Sequence, residues 1–137
     1  MGTKGREIVD LDVDKLIKLL NNAFADELLA YYQYWIGAQV VKGPMREPTV
    51  AELLQHANEE LTHAQWVCDR IIQLGGDPLL SPEDLLRETS CGYTTPSDPY
   101  VEEILKQKIA GEQRAINAYK KPFVMHGHII NAAAPSR

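Results

Sequence analysis

The sequence predicts an all-α fold, an antiparallel bundle with three long helices recognisable, a short helix in the connection before the third, and a fourth helix missing or replaced. Three observations predict it. Apolar residues recur at helical spacing over three long segments, the first of about 30 residues, or roughly 45 Å of helix. That length suits a large bundle better than a compact mixed fold. The chain shows no strand alternation of useful length, no internal repeat and no Rossmann or P-loop glycine pattern. Finally, each long segment carries a glutamate inside its apolar stripe.

Asp12 is placed to cap the first helix, whose stripe runs Val13, Leu16, Leu20, Ala23, Phe24, Ala30, Tyr31, Tyr34, Trp35 and Ala38, and Gly43-Pro44 stops it. Thr49-Val50-Ala51-Glu52 reads as a capping box opening the second helix, which runs to Leu74 before Gly75-Gly76. Residues 76–98 are rich in Pro, Gly, Ser and Thr, a long connection with a short helix from Ser81-Pro82-Glu83-Asp84 to near Glu88. Asp98-Pro99 opens the third long helix, with proline at its first position. Its stripe is Val101, Ile104, Leu105, Ile109, Ala115, Ile116 and Tyr119, with Lys120 and Lys121 at its negative end and Pro122 expected to stop or kink it. The expected organisation is one helical domain over 1–121 and a divergent tail over 122–137.

Composition narrows the classes. Hydrophobic residues at 45% and charged residues at 24% describe an ordinary globular chain with enough length for one core. No apolar run reaches the ~18 residues that span a bilayer. Met1-Gly2-Thr3-Lys4-Gly5-Arg6 is followed by no apolar signal segment, so a cytoplasmic location is expected. Cys68 and Cys91 are too few for a disulfide framework and read as reduced thiols. The net charge of −5 argues against a generally basic surface for nucleic acid. DNA binding would rest on the basic termini, Lys4 and Arg6 at one end and Lys120, Lys121 and Arg137 at the other.

The chemistry lies in carboxylates on apolar faces. Glu27 is in phase with Leu20, Ala23, Tyr31 and Tyr34. Glu60 lies between Ala57 and Ala64, and Glu112 between Ile109 and Ile116. A lone buried carboxylate costs several kcal/mol, so three on three helices point to a cation between them. His63 follows Glu60 by three residues, which puts imidazole and carboxylate on one helical face. Carboxylate oxygen with one imidazole suits iron or manganese better than zinc. His56 is read as a solvent residue rather than a support for the site, and Glu59 as outer surface. The cluster Tyr31, Tyr32, Tyr34 and Trp35 is core packing, or else supplies one tyrosine that bonds a ligand or takes up an oxidising equivalent. His126-Gly127-His128 is read as tail.

The segments Asn22-Ala23-Phe24-Ala25-Asp26-Glu27-Leu28-Leu29-Ala30-Tyr31-Tyr32-Gln33-Tyr34, Glu59-Glu60-Leu61-Thr62-His63-Ala64 and Ala110-Gly111-Glu112-Gln113-Arg114-Ala115-Ile116 resemble the ferritin-like superfamily. The likeness is in particular to bacterioferritins and bacterioferritin-like Dps proteins, over roughly Asp12 to Tyr119. The resemblance implies a di-iron centre, with Glu27 and Glu112 as terminal ligands, Glu60 as bridging carboxylate, His63 as histidine ligand and Tyr34 as the tyrosine beside the site. These five carry the expected catalysis: oxidation of Fe(II) by peroxide or oxygen, storage of Fe(III) in a hollow homo-oligomer, and relief of oxidative stress.

Three departures qualify it. Leu61 stands where bacterioferritins carry the haem-binding methionine, so no haem is expected. Cys91 sits where some Dps-like members place one of two cysteines, but 112–119 contains no second one. The resemblance stops near Lys121, so the fourth helix and its second E-x-x-H are expected to be absent, through truncation or frameshift. The second iron is then left with Glu112 and a share of Glu60, unless another chain completes the site. The competing expectations are another di-metal peroxidase, although the Cys-x-x-Cys of rubrerythrins is lacking, and a structural helical oligomer without catalysis.

Overall fold

The computed structural model describes residues 12–125, with side chains to residue 117. Its described residues form four helices: α1 (Val13–Val40), α2 (Arg46–Gln73), the short α3 (Pro82–Glu88) and α4 (Val101–Met125). This is the helical bundle that the apolar periods predict, and it agrees with the ferritin-like resemblance.

α1 and α2 form an antiparallel pair closed by two apolar clusters. At one end Val13, Leu16, Leu20 and Phe24 meet Ala64, Val67, Ile71 and Leu74. At the other, Tyr34, Ala38 and Val41 meet Leu53, Ala57 and Ile104 of α4. The gap between the clusters falls at residues 27–31 of α1 and 60–63 of α2, where the charged residues lie. α4 runs antiparallel to α1, since Tyr100 bridges to Lys42 while Glu112 reaches back to Tyr34.

The long connection returns from the end of α2 to the start of α4 along α1, and polar side chains of α1 lace it down. Asn21 accepts from the Leu79 amide at 3.0 Å and donates to the Asp77 carbonyl at 2.9 Å. Asp26 holds residues 89–91, and Gln33 donates to the Thr94 carbonyl at 2.8 Å. α3 forms as expected, with the Ser81 hydroxyl accepting from the Asp84 amide and Pro82 inside the first turn.

Several element ends differ from the sequence reading. Asp12 precedes α1 but makes no side-chain cap. α2 begins at Arg46, a turn before the expected capping box, because Met45 turns the chain with φ of 63°. The Thr49 hydroxyl therefore donates to the Met45 carbonyl inside the helix at 2.7 Å, and Glu52 pairs with His56 instead of capping. Pro48 is tolerated because its position is in the first turn, where an amide has no helical acceptor. α4 begins at Val101 rather than Pro99. Pro99 offers its carbonyl to Lys42, and Asp98 accepts from the Tyr100 amide ahead of the helix. Pro122 does not stop α4, which continues to Met125. His126-Gly127-His128 and the basic termini lie outside the described residues.

Candidate metal centre

Glu27 and Glu60 reach the seam between the two apolar clusters from opposite helices, with His63 one turn after Glu60. His63 Nδ1 lies 3.6 Å from Glu27 Oε2 and 3.5 Å from Glu60 Oε2. One ligand atom from each residue falls within 4.8 Å of the others. All three are half-buried, at 14–22% side-chain exposure, so their charges are only partly screened by water. The apolar phase of Glu27 and Glu60 thus has its reason: both face a cavity of about 380 Å³ that also meets His56, Cys91, Lys108 and Glu112.

Glu112 departs from the expectation of burial. It is exposed, as are its stripe neighbours Ile109 and Ile116 at 69% and 50%. Ile104 is packed in the core, but Leu105, Ile109 and Ile116 have no covering element among the described residues, so the carboxylate in phase with them is open too. Glu112 still lines the cavity, and the Tyr34 hydroxyl donates to its Oε1 at 2.6 Å. Tyr34 itself is buried, and burial, this hydrogen bond and the charge of Glu112 all push its phenol well above the usual range. Among the expected aromatic cluster, Tyr34 alone enters the core, whereas Tyr32 and Trp35 are 48% and 39% exposed.

His56 corrects the reading as a solvent residue. Its ring stacks on Tyr34 with centroids 5.2 Å apart and 23° between planes, while its nitrogens face Glu52 and Glu59 at 3.2 and 3.5 Å. Glu59 is exposed, as expected, yet borders the cavity through this pair.

Two residues near the site, Asp26 and Lys108, escaped the sequence reading. Asp26, 7% exposed, accepts from the Thr89 hydroxyl and from the Ser90 and Cys91 amides at 2.9 and 3.0 Å, which sets Cys91 against the cavity. Burial, then the charge of Asp26 and a hydrogen bond to it, push the Cys91 thiol up to about 12. Lys108, 8% exposed, donates to the Gln33 carbonyl of α1 at 2.7 Å, and burial pulls its ammonium down to about 8. Their partners lie 63 to 75 residues away in sequence, so local spacing carries no sign of them.

Residues 17–123 match the model of the family described as Ferritin, the ferritin-like domain. The chain belongs to that family. It is similar to the DNA protection during starvation protein of Pyrococcus furiosus, 30% identical over 115 residues, which is 82% of this chain and 62% of that protein. This ferritin-like chain therefore spans about three-fifths of that relative's length. A solved structure described as a dodecameric thioferritin, the bacterioferritin-related protein from Bacteroides fragilis, superposes with a TM-score of 0.86 at 37% identity. That match covers 96% of this chain and 80% of the other. No helix among the described residues is long and apolar enough to cross a membrane.

Proposed function

We propose that this chain is one subunit of a hollow homo-oligomer that binds Fe(II) at Glu27, Glu60, His63 and Glu112, oxidises it with hydrogen peroxide or oxygen, and retains the Fe(III). The observation that carries the reading is the convergence of Glu27, Glu60 and His63 across the α1–α2 seam, with ligand atoms within 4.8 Å of one another. Two carboxylates and one imidazole offer the oxygen-rich, partly nitrogenous set that suits Fe(II). Two half-buried carboxylates so close also repel until a cation lies between them. The dodecameric thioferritin and the starvation protein, both similar along most of this chain, support a hollow assembly and a protective role.

The chain's own residues divide the work. Glu60 lines the same cavity as Glu27 and Glu112, and its two carboxylate oxygens would let it serve as the carboxylate shared between two irons. His63 holds the Glu27–Glu60 side. Tyr34 keeps its proton and donates to Glu112, which orients that carboxylate. With peroxide the balance is two Fe(II), one H2O2 and two protons giving two Fe(III) and two waters, so each turnover removes both the oxidant and the metal that would make radicals from it.

The test is Fe(II) oxidation followed in the near ultraviolet under anaerobic addition of peroxide. Glu60→Ala and His63→Ala should each slow oxidation at least about a hundredfold while the chains stay helical. Unchanged oxidation in both would refute the reading and leave a structural oligomer. Metal content of the purified assembly reads the same question independently of rate.

A further inference from the structure

Lys108 is a buried cation that the chemistry above leaves without a task. It sits one turn before Glu112 on α4, in an apolar neighbourhood where Ile104 is fully buried. An interior ammonium is costly unless it is well held. Two contacts hold it: the Gln33 carbonyl at 2.7 Å, and the Tyr34 ring, whose centroid lies 5.0 Å from Nζ. The first helix leaves room for it. A Cβ at Gly37 would lie 3.4 Å from Lys108 Cε and 3.5 Å from Nζ, ordinary contact distances, so the lysine stem lies directly against α1.

The two contacts fall on adjacent residues of α1, Gln33 and Tyr34. The Tyr34 ring that meets the ammonium also stacks on His56, and its hydroxyl donates to Glu112. Glu112 lies on the exposed face of α4, so the chain needs some way to fix where its carboxylate rests. We propose that Lys108 is a positioning residue for the metal centre: it ties α4 to the Gln33 carbonyl and steadies the Tyr34 ring, and so holds Glu112 over the cavity lined by Glu27, Glu60 and His63. Its consequence for metal rests on the proposed function, but the Lys108–Tyr34–Glu112 arrangement belongs to the metal-free chain and is testable there.

The experiment compares full-length Lys108→Met and Lys108→Arg with the unaltered chain, each with and without Tyr34→Phe. The difference isolates the near-ultraviolet band of Tyr34, red-shifted while its hydroxyl donates to a carboxylate. Co(II) is then titrated by its visible absorption. Lys108→Met should keep its helical circular dichroism, move the Tyr34 band towards that of a phenol in water and weaken Co(II) about tenfold, as loss of a supporting contact does. Lys108→Arg, which keeps a cation and a donor, should restore both. If Lys108→Met does not fold, Gly37→Val, whose branches reach past the ordinary contact a Cβ would make, displaces the lysine stem instead and should shift the Tyr34 band in the same direction. A folded Lys108→Met that binds Co(II) as the unaltered chain does overturns the proposal, as does a Lys108→Arg no better than Lys108→Met. If the unaltered chain binds no Co(II), the metal reading falls by itself. An unshifted Tyr34 band in the folded Lys108→Met or Gly37→Val chain then overturns the Lys108 assignment separately.

Discussion

Cys91 is a thiol on the cavity of the proposed metal centre that its surroundings keep protonated. Burial, the Asp26 carboxylate and its hydrogen bond raise the thiol from an ordinary 9.0 to about 12. At pH 8 this leaves about a thousandfold less thiolate, offset in part by the greater nucleophilicity of a more basic sulfur. In a Cys68→Ser background, iodoacetamide should modify the folded chain about one to two orders of magnitude more slowly than the urea-unfolded chain, read by mass. Equal rates would contradict the protonated thiol. The same shift sets a pH window. The folded state keeps a proton that the unfolded state gives up, so this contribution to stability is complete below pH 9 and fades as pH rises towards 12. Cys91→Ser should flatten that alkaline loss in urea titrations. At this scale the sequence was legible where geometry is local. Glu60 and His63 share a face because they are three residues apart, and Glu27 is in phase with its own stripe. Asp26 was not legible, because a carboxylate beside Glu27 on an amphipathic helix looks like solvent surface until the loop at 89–91 is placed against it.

Helix ends show the limit of local rules among the elements. The capping box at Thr49–Glu52 has the right letters, but tertiary geometry at Met45 starts the helix a turn earlier and turns Thr49 into an interior residue bonded to a carbonyl. Ser81 has fewer letters in its favour and does cap, because its hydroxyl meets the Asp84 amide. The two substitutions should therefore rank opposite to the sequence expectation. Ser81→Ala should cost about 1 kcal/mol where α3 packs on α1, whereas Thr49→Ala should cost less than the ~1 kcal/mol of a lost cap. Urea midpoints of the two variants check the order, and a Thr49→Ala loss equal to or above that of Ser81→Ala would restore the capping box. Proline follows the same logic. Pro48 sits inside the first turn of α2 where its missing amide is harmless, while Pro99 stays outside α4 and serves as an acceptor.

At the scale of the whole molecule, the site and the open face are one feature. Leu105, Ile109 and Ile116 of α4 are 41%, 69% and 50% exposed, with Glu112 among them, and Leu61 beside Glu60 on α2 is 45% exposed. Apolar residues at core spacing that meet water mark a surface that another element covers, and here that cover would also close the cavity over Glu112. The stripe was legible in the sequence as a core face. Its exposure follows from the expected absence of a fourth helix, which leaves three long helices with an open apolar groove, but periodicity alone does not show that Glu112 lies in the open part. If copies of the chain supply the cover, as the proposed oligomer requires, assembly and metal content must change together. The single chain weighs 15.4 kDa. Native mass spectrometry of the unaltered protein should show multiples of that mass with more than one Co(II) per chain. Ile109→Lys with Ile116→Lys places two ammonium groups on the face and should shift the mass towards the single chain. It should also lower the metal to about one ion, kept by Glu27, Glu60 and His63 alone. A double variant that keeps both the assembly and the full metal content would show that this face is not where the chains meet.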